Sequence, residues 1–238
     1  MRTAYTVFRN LYNVRKMTMK LVLASGSQRR RELLTMCGYD YEIIVSNADE
    51  TIDENDPESF VRALSFRKAK EVFDRLFAAG RRDFAVIGSD TVVAFQKDGE
   101  TKPVIIGKPK DAKDAVRILS MLSGKTHRVF TGVSVIADIP DENADAQCSI
   151  REKAEIQTEC SITEVTFETL SPDEITDYVN SGDPLDKAGS YGIQGPFGMF
   201  VREIRGNYFT VIGMPIPVLY KMLKKIGILP HGFYERIE

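Results

Sequence analysis

Cysteine is scarce in this sequence. Cys37, Cys148 and Cys160 are the only three in 238 residues, and no two stand in a C-x-x-C pair. That spacing excludes a disulfide framework and a thiolate zinc site, and it makes a reducing compartment the default. Histidine is scarcer still. His127 and His231 are the only two, so a multi-histidine metal centre is excluded, and any metal falls to carboxylates, which points to Mg²⁺ or Mn²⁺. No run approaches the ~18 apolar residues of a membrane span, so no membrane partner is expected. The formal net charge is only −2, which excludes the strongly basic face of a general nucleic-acid binder but leaves room for a local phosphate site. Acid is also missing locally. Met1 to Arg31 holds no Asp or Glu, yet contains Arg2, Arg9, Arg15, Lys16 and Lys20 among Tyr5, Val7, Phe8, Leu11, Tyr12 and Val14. That pattern is read as an organelle transit peptide, as a disordered leader, or as coding upstream of a start at Met17 or Met19. The expected compartment is the cytoplasm, with mitochondria as the alternative.

With 43% hydrophobic and 28% charged residues, the chain has the make-up of an ordinary globular protein, and its length suits one sizeable core. The expected division is a basic leader over 1–19, one domain over 20–229 and a tail over 230–238. Residues 20–25 (KLVLAS) predict a short buried strand, followed by a helix over Gln28–Cys37 with Ser27 as N-cap and Gly38 as its stop. Asp56-Pro57 opens a second helix that ends at Gly80. Residues 84–95 (FAVIGSDTVVAF) predict a central strand. A third helix is expected over Ala112–Leu122, then strands over 127–137 and Ile162–Leu170, with an acidic loop over 138–155 between them. Ser171-Pro172-Asp173-Glu174 is a capping box, and its helix stops at Gly182. Gly206-Asn207 predicts a hairpin turn between two strands, and a last helix is expected over Pro217–Ile226. The mixture predicts a single α/β domain, a mixed twisted sheet flanked by helices.

Four places carry chemistry. Ser25-Gly26-Ser27-Gln28-Arg29-Arg30-Arg31 joins the first strand to the first helix. A helix N-terminus carries partial positive charge and favours acidic residues in its first turn, but this one holds three arginines. A phosphate would satisfy the free N–H groups, the Ser25 and Ser27 hydroxyls and the guanidinium forks together. That reading is favoured over a basic turn screened by water. Asp90, in Gly88-Ser89-Asp90-Thr91, is a carboxylate inside an apolar strand, where it needs a partner. It is read either as a metal ligand or water-activating base, or as a buried side chain capping nearby backbone. Asp49-Glu50 opens an acidic run through Asp53, Glu54, Asp56 and Glu58 that is mostly a solvated face. One of the first two is a candidate to join Asp90 around a divalent cation, and spacing does not choose between them. Lys68 lies in line with Val61, Leu64 and Val72, so it either snorkels or reaches a phosphate. Lys108 sits in the tight turn Gly107-Lys108-Pro109, and Lys187 precedes Ala188-Gly189. Ser123-Gly124-Lys125-Thr126 ends like a phosphate-binding P-loop, but Leu119 stands where that loop needs glycine and a helix precedes it instead of a strand, so it is rejected. His127 is read as a general base or as a packed strand residue. An anion site, scattered lysines and two or three carboxylates are the kit for metal-assisted attack on a phosphoanhydride.

The segment LVLASGSQRRRELL resembles the Maf family signature, usually written LASxSPRRxELL. The resemblance continues through DE at 49–50, RKA at 67–69, GSDTVV at 88–93, GKP at 107–109, SGKTHRVFTGVSV at 123–135, TEVTF at 163–167, DKAGSYGIQG at 186–195 and GNYFTVIGMP at 206–215. It implies an elongated α/β fold related to the inosine-triphosphate pyrophosphatases, a cleft for one nucleotide, frequent homodimers and hydrolysis between the α and β phosphates. It implies Asp90 as the proton acceptor for water, with Ser25, Arg29, Arg30, Lys68 and Lys108 around the phosphates. Glu50 would aid the metal site and Gln194 would read the base. Arg29, Thr91 and Gln194 stand where family members that act on uridine and thymidine nucleotides carry Arg, Thr and Gln, which implies UTP and dTTP as substrates and acceptance of modified pyrimidine nucleotides. The alternatives are a 7-methyl-GTP pyrophosphatase and a nucleotide-binding regulator of cell division. Retention of Asp90, Glu50 and the lysines favours catalysis over the regulator. Gln28 replaces the usual Pro and Thr210 the usual Asn, and neither change removes a charged group.

Overall fold

The computed structural model describes residues 19–96, 99–139 and 154–231. The leader readings for residues 1–18, nearly all of the expected 138–155 loop and the last seven residues lie outside that set. In chain order the elements are β1 (Lys20–Leu23), α1 (Gln28–Met36), β2 (Glu42–Ile43), α2 (Pro57–Ala78), β3 (Phe84–Phe95), β4 (Val104–Ile106), α3 (Ala112–Leu122) and β5 (Thr126–Asp138). Then come β6 (Ala154–Phe167), α4 (Pro172–Asn180), β7 (Val201–Arg205), α5 (Tyr208–Ile212) and α6 (Ile216–Lys225), with three 3₁₀ turns between α4 and β7. Local chemistry sets several boundaries. The Asp56 carboxylate accepts from Ser59 N–H at the start of α2, and Ser171 with Glu174 forms the reciprocal capping box of α4.

Among the described residues, seven strands form one mixed sheet in the order β2-β1-β3-β5-β6-β7, with β4 paired to β3. β1 runs parallel to β2 and β3, and the remaining pairs are antiparallel. Successive side chains of a strand face opposite sides, and the core divides accordingly. Phe84 and Val86 pack with Ala69, Val72 and Phe73 of α2. Ala85 and Ile87 pack with Leu33 and Leu34 of α1 and Leu219, Met222 and Leu223 of α6. Farther along β3, Val93 and Phe95 meet Ile118, Leu119 and Leu122 of α3 and Ile175 and Val179 of α4.

Helix α2 lies unusually close to the sheet. A Cβ built on Gly88 of β3 would come within 2.1 Å of the Ser65 carbonyl, and one on Gly132 of β5 would come within 2.1 Å of the Val61 carbonyl. Glycine at both positions therefore lets the helix backbone rest directly on the strands. The edge of β3 away from β5 is also distinctive. It is paired to β1 up to Ile87 and to β4 from Val93 onward. From Gly88 to Val92 that edge has no strand partner among the described residues, which leaves an internal gap in the sheet.

Two sequence expectations need correction. Gly206-Asn207 does not turn a hairpin: the Asn207 side chain accepts from Phe209 N–H and caps α5. β6 begins at Ala154, well before the predicted Ile162, and ends at Phe167. Ser27 occupies the N-cap position of α1 without a side-chain capping bond; its own N–H instead donates to Ser25 Oγ at 3.2 Å. No helix of the described residues is long and apolar enough to cross a membrane.

Candidate active site

The gap in β3 opens into a cleft of about 1430 Å³. The β1–α1 turn, the loop after β2, α2, the turn around Lys108 and the segment from Asp186 to Gln194 enclose it. Seven cationic side chains line it (Arg29, Arg30, Arg31, Lys68, Lys102, Lys108 and Lys187) against four carboxylates (Glu50, Glu54, Asp90 and Asp186). A chain with net negative charge thus concentrates positive charge in one concavity, where it focuses on an anion.

Asp90 follows Gly88 by two residues, so its side chain emerges on the same face of β3, toward α2. Its carboxylate accepts from Lys68 Nζ at 2.7 Å, and the same ammonium lies 2.9 Å from Glu50. Both Asp90 and Lys68 side chains are only 12% exposed, whereas Glu50 is 64% exposed. The Lys68 ammonium is thus held between two carboxylates in the wall of the cleft. Of Asp49 and Glu50, only the second lines the cleft. Asp49 turns back on its own loop to accept from Thr51 N–H at 2.9 Å, and that bond holds its carboxyl below the usual range. Glu50 alone of the two reaches the lysine.

The arginine turn separates into three roles. Arg30 is partly buried. It donates from Nε to the Gly213 carbonyl at 2.8 Å and from Nη1 to Ser25 Oγ at 3.1 Å, and it reaches Thr91 Oγ1 at 3.4 Å. Burial lowers its pKa, while the nearby Asp90 acts in the opposite direction. Arg29 reaches across the cleft to Asp186 at 3.4 Å. Desolvation pushes the Asp186 carboxyl up, but Lys187 and Arg29 outweigh it and hold it below the ordinary value. Arg31 donates to the Gly26 carbonyl. The sequence reading grouped Arg29 with Thr91 and Gln194; in the structure it is Arg30 that touches Thr91. Since hydrogen bonds from charged groups contribute about 1.5–3 kcal/mol and exposed ion pairs typically well under 1 kcal/mol, Arg30→Ala should lower the melting temperature clearly and Arg29→Ala hardly at all. Equal losses in thermal melting would show that the clamp on Gly213 carries no weight.

The other expected residues also lie along the cleft. Thr91 Oγ1 shares a hydrogen bond with Thr131 at 3.0 Å. Lys108 is exposed, and Gly189 N–H donates to the Gly107 carbonyl beside it at 3.0 Å. Gln194 is an exposed part of the wall. Lys187 is held by Asp183 and Asp186 at 3.1 and 2.7 Å. His127 is not a base for this site. Its ring is buried, its Nε2 lies 3.0 Å from Tyr191 Oη, and Phe167 packs edge-on at 4.6 Å. Burial lowers its pKa to about 3. The hydroxyl of Thr210 pairs with Ser161 at 2.7 Å. Sequence reasoning missed Ser89, Gly213 and Asp186. Ser89 donates to the Gly132 and Gly213 carbonyls and ties the α5–α6 junction to β3. No local signal announces that contact, because its partners stand far along the chain.

Among the described residues no group of three or more His, Cys, Asp or Glu side chains could enclose a metal ion. Asp90 and Glu50, meeting on one ammonium, are the available pair. Two carboxylates suit an ion such as Mg²⁺ that keeps water and takes phosphate oxygens as its other ligands.

The family described as Maf-like protein matches residues 20–226. A dTTP/UTP pyrophosphatase from Agathobacter rectalis is 40% identical over 217 residues, covering 88% of this chain and 98% of that one. A dTTP/UTP pyrophosphatase from Bacillus thuringiensis subsp. konkukian is 42% identical over 210 residues, covering 88% and 96%. The solved Ham1 protein of Staphylococcus aureus gives a TM-score of 0.46 at 16% identity, covering 87% of this chain and 98% of that one. The family match extends from the first core strand through the last helix, and on it this protein belongs to the Maf-like protein family.

Proposed function

We propose that the protein hydrolyses nucleoside triphosphates between the α and β phosphates, releasing a monophosphate and pyrophosphate, with UTP and dTTP as its preferred substrates. The observation that carries this reading is the Lys68 bridge from Asp90 to Glu50, set beside the gap in β3 on the wall of a cationic cleft. Membership of the family supports it, as do relatives at 40–42% identity named for dTTP and UTP.

The chain's own groups divide the work. Water attacks the α phosphorus, the bond to the bridging oxygen breaks, and pyrophosphate leaves. Asp90 accepts the proton of the attacking water. Lys68 keeps that carboxylate aligned before substrate arrives. Arg29, Lys108 and the Ser25-Gly26-Ser27 turn take up phosphate oxygens, while Arg30 holds the turn in place. Asp90 and Glu50 would hold a Mg²⁺ or Mn²⁺ ion, which would supply charge neutralisation for the phosphates. The protein is expected to act as a homodimer, as the family resemblance implies, in the cytoplasm or, on the alternative reading of its basic leader, in mitochondria.

Gln194 offers both a donor and an acceptor, a match for the O4 and N3–H edge of uracil or thymine, and Thr91 and Arg30, in contact with each other, line the same cleft. A site built to pair a polar edge rejects bases that leave its groups unpaired. The test is pyrophosphate release from UTP, dTTP, ATP, GTP and 7-methyl-GTP with Mg²⁺ or Mn²⁺. UTP and dTTP should give the highest kcat/KM, and Gln194→Glu should lower the value for UTP because a second acceptor replaces the amide donor. Higher kcat/KM for 7-methyl-GTP than for UTP would overturn the substrate assignment and leave the reaction type standing.

A further inference from the structure

Glu50 poses a positioning problem. It stands in residues 44–56, where there is no helix or strand between β2 and α2, and its side chain is 64% exposed. An exposed ion pair holds a flexible carboxylate only weakly, and an unanchored backbone resists being fixed in one conformation. The Lys68–Glu50 attraction therefore does not by itself keep Glu50 beside Asp90.

The anchors come from α2. Arg67, Glu71 and Arg75 are spaced four apart, which places them on one face of the helix. Each bonds to the main chain of the preceding loop. Arg75 donates to the Val45 carbonyl at 3.0 Å, and Glu71 accepts from Asn47 N–H at 3.0 Å. Arg67 donates from one nitrogen to the carbonyls of both Asp49 and Thr51, at 2.8 and 2.9 Å. Those two carbonyls flank Glu50. The Asp49 carboxylate, bonded to Thr51 N–H, tightens the same turn. The next residue on α2, Lys68, then meets the Glu50 side chain. Neighbouring residues of one helix thus hold the backbone and the carboxylate of Glu50 separately.

We infer that Arg67 is a positioning residue for the reaction, acting through Glu50 by holding the carbonyls of the residues before and after it, Asp49 and Thr51. This rests on the proposed hydrolysis and on a role for Glu50 in it. Residues that orient a functional group typically cost ~10–100-fold when removed. Arg67→Ala should therefore lower kcat for pyrophosphate release from UTP ~10-fold, and Arg67→Lys, which keeps a donor, should recover part of the loss. Arg75→Ala is the matched control. It removes the same kind of bond from the same helix face, but at Val45, away from Glu50, and it should change kcat by less than ~2-fold. In a Glu50→Gln background, measured in single turnover, Arg67→Ala should add little further loss, because residues acting through one group are non-additive. Arg67→Gln serves as the second variant if thermal melting shows that the alanine variant does not fold. Wild-type kcat in Arg67→Ala, an equal loss in Arg75→Ala, or an undiminished loss in the Glu50→Gln background would each overturn the inference while leaving the hydrolysis intact. No release by the wild-type protein from any triphosphate would instead overturn the proposed hydrolysis, and this inference with it.

Discussion

Asp90→Asn should leave a folded protein whose turnover has fallen by ~10²–10⁴-fold, the range expected when a general base is lost. The substitution preserves shape in a position only 12% exposed. It removes the group that accepts a proton and changes the partner of Lys68, which still has Glu50 at 2.9 Å. Because the lysine keeps one carboxylate, the loss should appear in kcat far more than in the melting temperature. Steady-state kinetics of pyrophosphate release, run beside a thermal melt, measures both. Turnover near the wild-type value would remove Asp90 from the chemistry and reduce it to a structural partner of Lys68.

The largest effect on stability is expected two residues earlier. Gly88→Ala would put a methyl group 2.1 Å from the Ser65 carbonyl and 2.7 Å from the Ala69 nitrogen. Overpacking a core usually costs about 1–3 kcal/mol, sometimes more. Here the obstruction is helix backbone, which has no rotamer to escape into, so a cost of about 3 kcal/mol or more is expected. For a chain of this size that lowers the melting temperature by roughly 6–12 °C. A second consequence distinguishes this site from an ordinary core position. Relief requires α2 to move off β3, and Lys68 moves with it, away from Asp90. The variant that remains folded should therefore also lose kcat. A melting temperature within about 2 °C of the wild type, with kcat unchanged, would show that the helix is not seated on the glycine.

Elements defined by their own residues were legible in the sequence. The apolar, β-branched run at 84–95 is β3, and the caps at Asp56-Pro57 and Ser171-Glu174 mark true helix starts. β6 is legible only in part, because residues 154–161 (AEIQTECS) carry no buried side chain and lack the apolar alternation of an inner strand. Asn207 misled for a different reason. Gly-Asn favours a turn, and only the arriving Phe209 N–H makes the asparagine a cap. The candidate site shows the same division. Asp90, Lys68 and Glu50 could each be singled out locally, but the bridge among them depends on Gly88 and Gly132 letting α2 settle onto the sheet. Likewise Arg29 and Arg30 are adjacent in sequence and indistinguishable by composition. Their separation, one toward Asp186 and the other toward Gly213, is set by partners more than 150 residues away.

The gap in β3 has a consequence for solubility as well. A strand edge without a neighbour is a template on which another chain can add by main-chain hydrogen bonding, the first step toward aggregation. This opening runs only from Gly88 to Val92, and β1 and β4 block either end of it. An invading strand would have to end within those few residues and pass among charged side chains, Asp90 and Lys68 included. A compact charged ligand enters such a notch, whereas an extended polypeptide finds too little edge to join. The protein can keep its central strand open to a small molecule without offering it to its neighbours.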